Sequence, residues 1–171
     1  MKKLILPILL ILCVPLMADE KKDKEKFEEA KALAEKGNAV WQCILGDKYY
    51  YGKGVEKDFK EAVRWYQKAA EQGDVDAQYN LGVLYANGDG VEKDLKEAVK
   101  WFRKSAELGH TSAQDKLGKI YLMGEGVEQD FKEAAKWCRK AADQGWADAQ
   151  CNLGLMYRQG KGVEQNDKEA V

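Results

Sequence analysis

An all-α solenoid of paired helices is the fold this sequence predicts, and three observations predict it. A glycine-bracketed segment recurs every 36 residues, as "GKGVEKD" from Gly52, "GDGVEKD" from Gly88, "GEGVEQD" from Gly124 and "GKGVEQN" from Gly160. Between these segments the apolar residues fall at helical spacing, as in Ala77, Leu81, Leu84 and Tyr85. Both prolines, Pro7 and Pro15, lie in the first eighteen residues, which leaves the rest of the 171-residue chain free to be helical. A fixed period of this length marks a repeat array, whose copies bury their apolar faces only by stacking on one another.

Residues 1–18 read as a secretory signal peptide. Lys2 and Lys3 precede an apolar run from Leu4 to Met17, and Ala18 stands before the charged "DEKKDKEK", so cleavage is expected after Ala18. The run is shorter than the ~20 residues a spanning helix needs, and no stable membrane span is expected once it is removed. Cys13 raises lipid attachment, but the Leu before it in "LILC" departs from the small residue that such motifs require. The mature protein is therefore expected to be secreted or periplasmic, where disulfides persist.

Residues 19–36 read as a charged linker and an N-terminal capping helix, because Phe27 to Lys36 resembles the second half of a repeat's second helix. Repeats 1, 2 and 3 then occupy 37–72, 73–108 and 109–144, with a partial repeat 4 over 145–171. In each, helix A ends at the first glycine of the turn, where a left-handed cap belongs. Helix B opens with an Asp or Asn and a Glu three residues later, as a reciprocal cap requires: Asp58 with Glu61, Asp94 with Glu97, Asp130 with Glu133, Asn166 with Glu169. Trp65, Trp101 and Trp137 recur on helix B, and Tyr49, Tyr85, Tyr121 and Tyr157 on helix A, as the residues expected to join copies. Repeat 4 opens its helix B with "NDKEAV" and reaches Val171 before the Trp that should follow, which predicts a frayed end or a fragment of a longer array.

The glycine segment is a turn and not a phosphate loop. A Walker loop follows a strand and ends in Gly-Lys-Ser/Thr, whereas here a helix precedes it and its middle residue changes from Lys53 to Asp89, Glu125 and Lys161. Charge agrees: the formal charge is −1, and about −3 after the leader is removed, with Lys and Glu interspersed, so no nucleic-acid partner is expected.

The pattern carried by Ala77 to Gly109, with its "LGxxYxxGxGVxxD" core, resembles the Sel-one-like repeat family, relatives of the tetratricopeptide repeats. The resemblance implies antiparallel helix pairs stacked into a right-handed superhelix that serves as a scaffold for protein partners. A secreted, cysteine-rich bacterial branch is distant kin, and its claimed penicillin binding or weak β-lactamase activity is the alternative function. Its cysteine pairs occupy an eight-residue step that here holds Ala70 and Gln78, Ala106 and Gln114, Ala142 and Gln150.

The residues do not favour catalysis. Ser105 and Ser112 lack the S-x-x-K spacing, and His110, the one histidine, follows Gly109 as a surface or capping residue. No catalytic residue, cofactor or metal is expected. Cys138 and Cys151 flank Gly145 at comparable heights on antiparallel helices, so a bond between them is possible, with two small buried hydrophobes as the alternative. Cys43 is left over.

In related solenoids helix A lines the concave surface, so the variable positions of helix A form the candidate binding groove: Tyr51, Asn80, Asn87, Lys116, Lys119, Met123 and Asn152. Tyr51 and Met123 would anchor apolar side chains of a protein or peptide, and Lys116 with Lys119 would meet an acidic segment. Tyr79 sits one step off this strip and is expected to pack between repeats.

Overall fold

The computed structural model describes residues 5–170, with side chains from Asp19 onward. Eight helices follow one another among the described residues: α1 (Ile5–Glu35), α2 (Ala39–Tyr51), α3 (Phe59–Glu71), α4 (Val75–Asn87), α5 (Leu95–Glu107), α6 (Thr111–Met123), α7 (Phe131–Asp143) and α8 (Ala147–Gln159). Each packs on the next, so α2–α3, α4–α5 and α6–α7 are hairpins laid side by side. The stretch 19–26 continues α1 as helix, and the leader assigned to residues 1–18 overlaps that helix, with its first four residues outside those described.

The two glycines of each turn do different work. Gly88 closes α4 in the left-handed conformation (φ +83°), its N–H bonding Leu84 O. Gly90 (φ +72°) lies so close to the preceding repeat that a Cβ would sit 2.4 Å from the Phe59 carbonyl, at the start of α3. The turn is thus both a corner within one repeat and a seam against the one before. Asp94 N–H then bonds Tyr85 O at 2.9 Å, closing the turn.

That backbone bond alters the expected caps. Asp58, Asp94 and Asp130 accept from the N–H groups two and three residues on, as a cap requires. Their own N–H groups are taken by Tyr49, Tyr85 and Tyr121 carbonyls, so the glutamates do not reach back. Glu61 and Glu133 instead accept from the indole N–H of Trp65 (3.2 Å) and Trp137 (3.1 Å).

The core confirms the tryptophan seams. Trp65 packs with Phe27 and Ala34 of α1, Trp101 with Tyr66 and Ala69 of repeat 1, and Trp137 with Ala98 and Phe102 of repeat 2. All three are buried, and burial of this kind is where the stack's cohesion arises, since truncating a core Trp costs ~3–5 kcal/mol. The helix A glycines permit close approach within a hairpin: a Cβ on Gly82 would lie 2.8 Å from the Phe102 ring, and one on Gly118 2.6 Å from Cys138 Sγ.

At the eight-residue step the glutamines close the loop by hydrogen bonds. Nε2 of Gln42, Gln78, Gln114 and Gln150 donates to the carbonyls of Ala34, Ala70, Ala106 and Ala142. In repeats 1 and 3 a second glutamine completes the arrangement, with Gln72 Nε2 donating to Gln42 Oε1 (2.6 Å) and Gln144 Nε2 to Gln114 Oε1 (2.8 Å). Repeat 2 has Leu108 there, and Gln78 Oε1 is buried without a partner.

Candidate partner-binding groove

The side of the stack formed by α2, α4 and α6 carries three adjoining depressions, and Tyr79 of α4 is a wall of all three. A cavity of about 280 Å³ opens between repeats 2 and 3, floored by Val83, Ala98, Phe102 and Ile120, with Asn87, Lys116 and Glu125 among its other lining residues. A smaller one, about 220 Å³, is lined by Tyr50, Tyr51, Tyr66, Asn80 and Val83. A third, about 370 Å³, is lined by Ile44, Asp47, Asp74, Asp76, Asn80 and His110.

Tyr79 is held in place from two directions. Its ring stacks on His110 (centroids 4.6 Å, 22° between planes) and tilts against Phe102 (5.7 Å). His110 is fixed in turn: Nδ1 accepts from the Ala113 N–H at 3.1 Å, capping α6 as expected, and Nε2 faces Asp76 Oδ1 at 3.4 Å. Burial holds the His110 pKa below its ordinary value, with Asp76 opposing, and because Nδ1 accepts from Ala113, the neutral ring carries its proton on Nε2.

The third depression has a one-sided electrostatic character. Asp47 Oδ1 accepts from Tyr66 Oη at 2.6 Å and from Asn80 Nδ2 at 3.5 Å. Burial raises the Asp47 pKa, and Asp76 and Asp74 add to this while the Tyr66 bond opposes it. Asp74 caps α4 through the Ala77 N–H (2.8 Å). No lysine or arginine lines this depression.

Of the strip assigned from sequence, the structure gathers Tyr51, Asn80, Asn87 and Lys116 around these depressions. Lys116 is exposed and makes no ion pair among the described residues. Lys119 is not free: its Nζ lies 2.8 Å from Asp115 and 3.0 Å from Asp148, an ion cluster that bridges α6 and α8. Met123 is 64% exposed, and neither it nor Asn152 lines any of the three. Sequence reading set Tyr79 outside the strip and gave no role to Asp74 or Asp76; a depression between repeats needs contacts some thirty residues apart, which helical spacing alone does not supply.

The thiols also differ from expectation. Cys43, Cys138 and Cys151 are free, so the Cys138–Cys151 bond is not formed. Cys138 turns its sulfur toward Gly118 of its own hairpin, filling the place that Phe102 and Tyr66 fill against Gly82 and Gly46, while Cys151 is exposed on α8. Among the described residues no group of His, Cys, Asp and Glu could hold a metal ion. No described helix is long and apolar enough to cross a membrane.

Residues 42–74, 75–110, 111–146 and 147–171 each match the Sel1 repeat. Over 48 residues the chain is 44% identical to the ERAD-associated E3 ubiquitin-protein ligase component HRD3A of Arabidopsis thaliana, a match covering 26% of this chain and 7% of that protein. It resembles c5321, a protective antigen of uropathogenic Escherichia coli displaying an SLR fold, with 42% identity and a TM-score of 0.81 over 84% of this chain and 31% of that one. It also resembles a Sel1 repeat protein from Oxalobacter formigenes (38% identity, TM-score 0.80, 86% and 43% covered). Helicobacter pylori cysteine rich protein B is 26% identical with a TM-score of 0.59 over 74% of this chain and 93% of that one. The chain thus spans a small part of the Arabidopsis protein and under half of the first two solved chains.

Proposed function

Since this chain belongs to the Sel1 repeat family, whose members act as protein-interaction scaffolds, we propose that it captures a protein or peptide partner along the face formed by α2, α4 and α6. The run of three depressions around Tyr79 carries this reading, because they pair partly apolar floors with polar rims on rigid helices, the composition of a recognition surface. The proposal includes a secreted or periplasmic location, supported by Lys2, Lys3 and the apolar run that ends before Ala18.

Crosslinking in the native envelope, followed by identification of captured proteins, tests it. Val83→Arg fills two of the depressions, and Asn87→Arg places a cation at the exposed rim of one, so both should abolish capture while Lys96→Glu on the outer helix α5 leaves it intact. Capture undiminished in both groove variants refutes the assignment.

A penicillin-binding or β-lactamase reading draws on the likeness to the cysteine rich protein. The observation that weighs against it is Ser105: fully buried, its hydroxyl donates to Val75 O at 2.8 Å and ties α5 to the start of α4 within repeat 2, with no path to a substrate. Chromogenic cephalosporin turnover above a heat-denatured control would reverse that judgement.

A further inference from the structure

The proposed groove says where a partner lies; the geometry points also to its chemistry, an inference that rests on the groove reading. The segment captured carries a basic side chain, Lys or Arg, seated in the acidic depression of repeats 1 and 2, beside a large apolar side chain that enters the cavity between repeats 2 and 3.

The apolar part follows from shape. Val83, Ala98, Phe102 and Ile120 enclose a space of about 280 Å³, within reach of the lower end of small-ligand pockets and of a size for one side chain such as Leu, Met or Phe. The rim charges Lys116 and Glu125 are of opposite sign, so this cavity itself has no charge preference.

The basic part follows from charge complementarity on the other side of Tyr79. Asp47, Asp74 and Asp76 converge on one depression, and His110, the one basic side chain among its lining residues, is kept toward its neutral form by burial. Asp47 Oδ1 is occupied by Tyr66 and Asn80, which leaves Oδ2 without a partner among the described residues. Asp76 is largely exposed and turns only Oδ1 toward His110. A metal ion does not answer this charge, since no described group of ligands has the geometry to hold one. An ammonium or guanidinium does: it needs acceptors spread over a pocket, not a coordination shell. Tyr79 walls both spaces, so a basic residue and an apolar residue close together in one extended segment reach both at once.

The test uses purified full-length chain, panned against a displayed library of random dodecapeptides, with the selected peptides synthesised and measured by fluorescence anisotropy. Enrichment of Lys or Arg within a few residues of Leu, Met, Phe or Trp is expected. Asp47→Asn with Asp76→Asn keeps the Tyr66 bond, because an amide oxygen still accepts, yet removes two charges. Binding of the selected peptides should weaken about tenfold or more in that double variant and fall with added salt. In Lys116→Glu binding should persist or tighten.

Peptides blocked by Val83→Arg or Asn87→Arg but indifferent to the double Asn variant would keep the groove and overturn the basic-residue inference, as would selection of acidic peptides. Peptides indifferent to all of these variants would overturn the groove itself. A library that yields no binder counts against both. Thermal melts of each variant separate lost binding from lost fold.

Discussion

The substitution Leu108→Gln should stabilise the protein, and the structure supplies the reason. Gln78 Oε1 is buried with no partner, although Gln78 Nε2 donates to Ala70 O just as its counterparts donate in the neighbouring repeats. In repeats 1 and 3 the matching oxygens, on Gln42 and Gln114, accept from Gln72 and Gln144 thirty residues on. Leu108 stands at that position in repeat 2, and its side chain is 59% exposed, so little apolar burial is lost by replacing it. Leaving a buried acceptor unsatisfied costs ~1–3 kcal/mol and a net hydrogen bond contributes ~0.5–1.5 kcal/mol, so a gain of about 1 kcal/mol is a conservative expectation. For a chain of this length that is ~2–4 °C in Tm, or ~0.3–1 M in the urea midpoint for a slope of ~1–3 kcal/mol/M. Circular dichroism melts and urea titrations of the wild type, Leu108→Gln and the reverse change Gln72→Leu measure it. Gln72→Leu should lose a similar amount, since it strands Gln42 Oε1. An unchanged or lowered midpoint for Leu108→Gln, with Gln72→Leu neutral, would refute the view that the glutamine pair stabilises each step.

Four further outcomes are expected. Gly118→Ala should destabilise by ~1–3 kcal/mol because its Cβ would overlap Cys138 Sγ, and Cys138→Ala in the same chain should recover part of that, measured by urea unfolding. Gly90→Ala should cost more than about 2 kcal/mol in the same assay, since it combines positive φ with a clash against the Phe59 carbonyl. Under native conditions at pH 8, iodoacetamide should label Cys151 but not Cys43 or Cys138, whose thiols burial pushes up, Cys138 to about 11; peptide mapping by mass spectrometry reads the sites. The folded His110 pKa lies below the unfolded value of ~6.5, so between the two the unfolded chain binds more protons and stability is lost as pH falls; His110→Asn should flatten that slope in melts taken from pH 5 to 7.

What the sequence disclosed is what short segments decide. The Gly52, Gly88, Gly124 and Gly160 caps, the Asp58, Asp94 and Asp130 caps and the His110 cap each depend on residues within four or five positions, and all form. The tryptophan seams were legible because a bulky ring repeated at the period has only its neighbour to pack against. Three readings failed where competition was not local. Glu61 leaves the cap because Tyr49 O, nine residues before Asp58, already takes the Asp58 N–H. Lys119 pairs with Asp115 one turn before it at 2.8 Å, a partner that local spacing offered, and with Asp148 of the following repeat at 3.0 Å, a partner that it did not. Cys138 looked aligned with Cys151, but helix rotation turns its sulfur to Gly118. Tyr79 illustrates the same limit: its helix position is held by Cys43, Asp115 and Cys151 in the other copies, so only the stack on His110 from the next repeat reveals its place at the centre of the groove.

The second glycine of each turn touches a residue thirty-one positions earlier: Gly54 meets Asp23, Gly90 meets Phe59, Gly126 meets Leu95 and Gly162 meets Phe131. Every joint therefore measures the same stretch of chain, and a single inserted or deleted residue between two joints would throw one out of alignment. Genetic recombination faces no such penalty when it exchanges whole periods, because the joints it creates keep the same spacing as those it removes. Arrays built this way can lengthen or shorten in evolution by unequal crossing-over, while the side chains facing a partner drift independently from copy to copy.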